Sequence, residues 1–210
     1  MSNELFDQDD KAILVKGEMK IKSNIENLFD LAYTLVDLQS IYGSLYHVML
    51  DKESNAVEYS TTRRFNKQYK DLFKLERFYS GSVGLEFALG IISTLIGEFL
   101  KKSIWEDSRN PRIDITYNNC IIINVNDNID KRVINSYCKD NKRLETKEDI
   151  EAFTKEFFKD VDITPGRHER NVENFLRQLE KRGYIEKNET YNSKAVKVVA
   201  RNISRFEARV

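Results

Sequence analysis

Residues 83–105, VGLEFALGIISTLIGEFLKKSIW, form the most apolar run in the chain. Any fold this sequence adopts must first hide that run. Val83, Phe87, Ile91 and Leu95 fall four apart, and Leu85, Leu89, Ile92, Ile96 and Phe99 fill the flanking positions. The spacing predicts one helix, apolar over most of its circumference. Ser80-Gly81-Ser82 offers a turn and a cap ahead of it, and Lys101 and Lys102 suit the cation-favouring C-terminal end of its dipole. Glu86 and Glu98 leave only about a dozen uncharged residues between them, where a bilayer span needs roughly 20. A helix buried in protein is therefore expected, with membrane contact as the lesser reading. The Gly-Ser turn lacks GxxxxGK[ST] and GxGxxG spacing, so it is not read as a phosphate loop.

The flanking sequence supplies a sheet for this helix to cover. KAILVKGEMKI, starting at Lys11, reads as a strand with a bulge or bend at Gly17. Ser23 or Asn24 is expected to cap a long helix running to Leu50, with Gly43-Ser44 as a place for a kink. Residues 57–63 suggest a weak strand, and LFKLERFY, residues 72–79, a better one. RIDITY-NN-CIIINV, residues 112–125, places two β-rich runs on either side of Asn118-Asn119. Asn tolerates left-handed backbone angles, so a two-residue hairpin is expected there. The fold class expected for residues 1–126 is α+β, a mixed or antiparallel sheet with two long helices over one face. The polar stretch NVNDNID, residues 124–130, is read as the boundary to a second, mainly helical domain, residues 127–210.

That second part carries three helix signals, at residues 130–139, after Thr146, and after Thr164-Pro165. The last has Val172, Phe175, Leu176 and Leu179 on one stripe and ends at Gly183. Tyr184-Ile185-Glu186 and Ala195–Ala200 read as two short strands. NFLRQLEKRGYIEKNETYNSKAVKVV resembles the recognition helix and wing of a winged helix-turn-helix domain. The resemblance implies nucleic-acid binding. The face opposite the stripe would then enter a groove with Arg167, Arg170, Asn171, Asn174, Arg177, Gln178 and Lys181, and Lys187, Lys194 and Lys197 on the wing would meet phosphates. Arg can read guanine edges, and Asn and Gln adenine edges. An ordinary solvated helix face with i, i+4 ion pairs is the competing account of the same residues.

Charge sharpens this division. The chain is formally neutral, so no global field advertises nucleic acid or an anionic surface. From Thr164 onward, however, eleven Lys/Arg stand against six acids, a net of +5, which leaves −5 upstream. Cys120 and Cys138 are the only cysteines, and the first residues lack a hydrophobic targeting core. A reducing, cytoplasmic setting is expected. Heavy use of Asn, Lys and Ile with only two prolines fits AT-rich bacterial or phage coding.

Little enzyme chemistry is legible. His47 and His168 lie far apart in sequence, and neither cysteine sits in a CxxC. No catalytic residue, metal site or cofactor is expected. The leading expectation is a non-enzymatic binding or regulatory protein. Its N-terminal part would meet a partner or oligomerise with itself, and its basic C-terminal part would bind nucleic acid or protein. A second expectation is a phage–host conflict effector that uses the apolar run against a partner or membrane. A third is a metal-dependent hydrolase built on Asp114, Asp127 and Asp130.

Overall fold

The structure, a computed structural model, describes residues 11–22, 27–50, 73–79, 82–104, 112–124, 144–185 and 193–210. The order is β1 (Lys11–Lys22), α1 (Leu28–Leu50), β2 (Phe73–Tyr79), β3 (Ser82–Gly90), α2 (Ile91–Ser103) and β4 (Ile113–Asn124). Then come α3 (Lys147–Lys159), α4 (His168–Lys181) and α5 (Ser193–Arg209). The four strands form one sheet in the order β2-β3-β1-β4, with every neighbouring pair antiparallel. The fold class is α+β. Among the described elements, the β-α-β-β-α-β order with β1 and β3 at the centre of the sheet has the connectivity of a split β-α-β unit. The expected strands at residues 57–63 and helix at 130–139 lie outside the described residues.

The apolar run does not fold as one helix. Its first half is β3, and only residues 91–103 are helical. The same letters carry a second period: Val83, Leu85, Phe87 and Leu89 alternate with Gly84, Glu86, Ala88 and Gly90. That is the two-residue repeat of a strand. Glycines at 84 and 90 disfavour a helix, and β1 on one side and β2 on the other satisfy the strand's backbone. Gly90 ends β3 in an extended conformation and α2 starts at the next residue.

The expected hairpin at Asn118-Asn119 is absent too. β4 runs unbroken along β1, from Ile21 opposite Ile113 to Lys11 opposite Asn124. The pairing slips once: Lys16 faces Asn119 and Gly17 faces Tyr117, so Asn118 is the extra residue. The Asn pair makes a bulge rather than a turn, opposite the Gly17 where β1 was expected to be irregular.

Alternation along β1 decides the layers. Val15, Met19 and Ile21 are buried, whereas Lys16 and Lys20 are exposed. On β4, Ile113 and Tyr117 point inward and Asp114 and Thr116 outward. α1 and α2 cover the inward face. Asn27 caps α1, accepting from the Asp30 amide at 3.0 Å, and Gly43-Ser44 does not interrupt the helix. α2 is buried almost throughout, with Ile91, Ile92, Leu95, Ile96, Phe99 and Leu100 fully enclosed. Gly97 gives β1, β4 and α1 their approach to it, because a Cβ there would lie 2.9 Å from the Tyr42 hydroxyl. The Tyr117 hydroxyl donates to Glu98 at 2.8 Å. Burial, and then the Glu98 charge, push that phenol far above its ordinary range, so it remains a donor.

The C-terminal helices join this core instead of forming a second one. Phe99 of α2 stacks on Phe175 of α4 at 4.6 Å, and Phe157 and Phe158 of α3 close around Phe175. α5 lies against α1, where Asn202 donates to the buried Ser44 hydroxyl at 3.1 Å and Arg209 to Asp37 at 2.6 Å. Buried residues from β1 through Val210 form one continuous cluster. The expected boundary at residue 126 therefore separates two stretches of sequence that share one hydrophobic interior.

Candidate nucleic-acid interface

α3 begins as its sequence predicts. Thr146 accepts from the Asp149 amide, and the Asp149 carboxylate accepts from the Thr146 amide at 2.9 Å and the Glu145 amide at 3.0 Å. Those donors hold the Asp149 carboxyl below its ordinary pKa, the Thr146 amide contributing most. α4 ends as predicted as well. Gly183 takes φ +73°, and the amides of Gly183 and Tyr184 bond back to the Glu180 and Leu179 carbonyls. That double closure is the Schellman arrangement, and a glycine suits its left-handed position. The start of α4 differs. Thr164-Pro165 lies in a turn with Gly166 at φ +75°, and the helix opens only at His168.

This turn consumes two side chains expected to face a groove. Asn171 is fully buried; its amide donates to the Thr164 carbonyl at 2.8 Å and its oxygen accepts from the Thr164 amide at 2.9 Å. Asn174 donates to the Asp162 carbonyl at 2.7 Å. Gln178 is also buried. Asn171 and Gln178 are closed to a base edge, and half-buried Asn174 already commits its amide to the loop. α4 is rotated so that Asn171 and Gln178 join the core side, and Asn171 and Asn174 tie down the loop before it.

The basic residues of α4 stay outside but are diluted. Arg167, Arg170, Arg177 and Lys181 are exposed, as is Glu169, while Glu173 and Glu180 are half-buried. Arg170 pairs with Asp162. Arg182 spans Asp160 and Glu156 at 3.6 and 3.8 Å and sits over the Phe157 ring. Lys187 lies outside the described residues.

The second wing strand is not a strand. Residues 195–200 are the opening turns of α5. Val196, Val199, Ile203 and Phe206 are buried, an i, i+3, i+7, i+10 stripe that fits a helix. VKVV invites a strand reading because its residues are β-branched, but packing against α1 and α4 overrides that weak preference. The opposite side of α5 exposes Lys194, Lys197, Arg201, Ser204, Arg205 and Ala208. Every charge in that set is positive. The single acid of α5, Glu207, turns inward and meets His168 Nε2 at 2.8 Å.

Four cations thus lie at i, i+3, i+7 and i+11, over about 16 Å of helix axis. Lys197, Arg201 and Arg205 form no ion pair among the described residues. Their i, i+4 spacing makes two like-charge contacts, each unfavourable by roughly 0.2–0.5 kcal/mol. Such a row offers fixed positive charge and hydrogen-bond donors to phosphate oxygens. Reading residues 193–209 with a helical period would have added Arg201 and Arg205 to Lys194 and Lys197 as site residues.

The other expected chemistry has less to stand on. Asp114 is exposed, 3.9 Å from Lys101, and Asp127 and Asp130 lie outside the described residues. No group of three metal-ligating side chains occurs among the described residues. No described helix is long and apolar enough to cross a membrane, and the apolar side chains of α2 are buried in the fold. Comparison with known proteins leaves the site to speak for itself: no family model, curated protein or solved structure matches the chain.

Proposed function

We propose that the protein binds nucleic acid through the phosphate backbone, with α5 as the contact element and little dependence on sequence. The observation that carries this reading is the acid-free row of Lys194, Lys197, Arg201 and Arg205. Arg177 and Lys181 on α4 add positive charge to the same C-terminal part. Base-edge reading is not part of the proposal, because Asn171 and Asn174 are hydrogen-bonded within the fold and Gln178 is buried. Phosphate contacts fix position and carry no sequence information by themselves.

The test is a salt titration of binding to a random-sequence duplex. Four phosphate contacts give a slope of log K against log salt of about −3.6. Replacing Lys197 and Arg201 with Gln should roughly halve that slope. Arg170→Gln, which removes a cation already paired with Asp162, should change it much less. Absence of binding at about 20 mM salt, or a slope unaltered by the double substitution, overturns the proposal.

A further inference from the structure

The outer face of α1 is the strongest unused feature of the fold. Leu28 and Phe29 are 75% and 76% exposed, and Tyr33 and Val36 53% and 48%. With exposed Ala32 they occupy one side of the helix within about 140° of arc. The other side carries Leu31, Leu38, Ile41, Tyr42 and Leu45 into the core. α1 is therefore apolar on two faces, and only one has a partner among the described residues.

We infer that this outer face pairs two copies of the chain, α1 against α1 in antiparallel fashion about a two-fold axis near Ala32. Three observations choose this occupant. First, α1 contains no Lys or Arg, its two acids, Asp30 and Asp37, lie along one edge of the patch, and Arg209, the cation at that edge, is taken up by Asp37. A face meant for anionic lipid would carry cations at that margin. Second, the patch bears no charge, so it matches itself: Leu28 meets Val36 of the partner subunit, and Phe29 meets Tyr33 of the partner subunit. Ala32 is small at the centre of the crossing, which lets two helix axes approach to about 8–10 Å. Third, the four large side chains expose roughly 500 Å² of apolar surface. Doubling that gives about 1,000 Å², the lower limit for a specific interface, which fits a dimer formed at high concentration. Neighbouring α1 groups are already engaged: Asp37 holds Arg209, whose guanidinium lies 4.8 Å over the Tyr33 ring. The interface thus abuts the end of α5, and dimerisation would hold two cationic rows in fixed relation. The inference does not depend on nucleic-acid binding.

Sedimentation velocity of the full chain over about 1–500 μM tests it, micromolar dissociation being what an interface at the low end of specific areas supports. The weight-average mass should climb from one chain, 24.7 kDa, towards two. Phe29→Glu and Val36→Lys should each hold it at one chain. Both positions are exposed, so thermal unfolding of the dilute variants should match the parent and show that the fold survives. A single-chain mass at every concentration overturns the inference. So does a dimer that both substitutions leave intact.

Discussion

Truncating Phe99 to Ala tests whether the chain has one interior or two. Phe99 belongs to α2, within the first 126 residues; its stacking partner Phe175 belongs to α4. The Phe99 ring is fully buried and its removal leaves a cavity lined from both halves. A buried Phe→Ala change costs about 3–5 kcal/mol, including the lost aromatic pair. In a chain of this size each kcal/mol lowers Tm by roughly 2–4 °C. A drop of about 10 °C is therefore expected, an appreciable part of a total stability of about 5–15 kcal/mol. Scanning calorimetry and far-UV circular dichroism should show one transition in parent and variant alike, the whole transition moving. If residues 127–210 kept a core of their own, the parent would melt in two steps. The calorimetric enthalpy would then exceed the van't Hoff value, and only one step would shift. That result would refute the shared-core reading directly.

Two smaller perturbations probe the local devices. Gly97→Ala gains up to about 1 kcal/mol of helix propensity but places a Cβ 2.9 Å from the Tyr42 hydroxyl and 3.2 Å from Ile115. Tyr42 is fully buried and cannot swing aside, so overpacking of about 1–3 kcal/mol should win. A rise in Tm would show that the α1–α2 contact has slack. Asp149→Ala should cost about 1 kcal/mol in urea unfolding at neutral pH through loss of the capping box. Because folding lowers the Asp149 pKa, its contribution is present above the ordinary carboxylate pKa near 3.9. It is lost as pH falls through the folded value. The gap between parent and variant should therefore close below about pH 4, and a gap independent of pH would rule out the ionic cap.

The sequence was most informative where one physical signal acted alone. The Thr146–Asp149 cap, the Gly183 stop, β1 with its irregularity at Gly17, β2 and the body of α1 are each legible from residues a few positions apart. It misled where two periods overlapped. VGLEFALG satisfies a four-residue and a two-residue repeat together, and the choice between them is made by β1 and β2 alongside, from more distant sequence. Asn118-Asn119 suits a turn or a bulge, and continuous pairing with β1 selects the bulge. The α+β class survives these local errors because exchanging half a helix for a strand leaves helices packed on one sheet. The domain boundary did not survive as a division of the core. Polar composition near residue 126 is visible in sequence, whereas Phe99 meeting Phe175 is not.

The candidate site shows why misreading α5 mattered more than misreading β3. As a strand, residues 195–200 would send Lys194 and Lys197 to positions defined by a wing, and Arg201 and Arg205 would lie beyond it. As a helix, the same stretch puts all four on one side and Val196, Val199, Ile203 and Phe206 on the other. The cationic row is not needed for that packing. The i, i+4 spacing of Lys197, Arg201 and Arg205 weakens the helix slightly, whereas Arg170 and Arg182 near α4 are paired with Asp162 and with Asp160 and Glu156. Replacing Lys197 and Arg201 with Gln should accordingly leave Tm equal or slightly higher while the salt slope falls. Stability and binding moving in opposite directions would separate an anion-binding role for the row from a structural one. A variant that lost both together would place these side chains in the support of α5 itself.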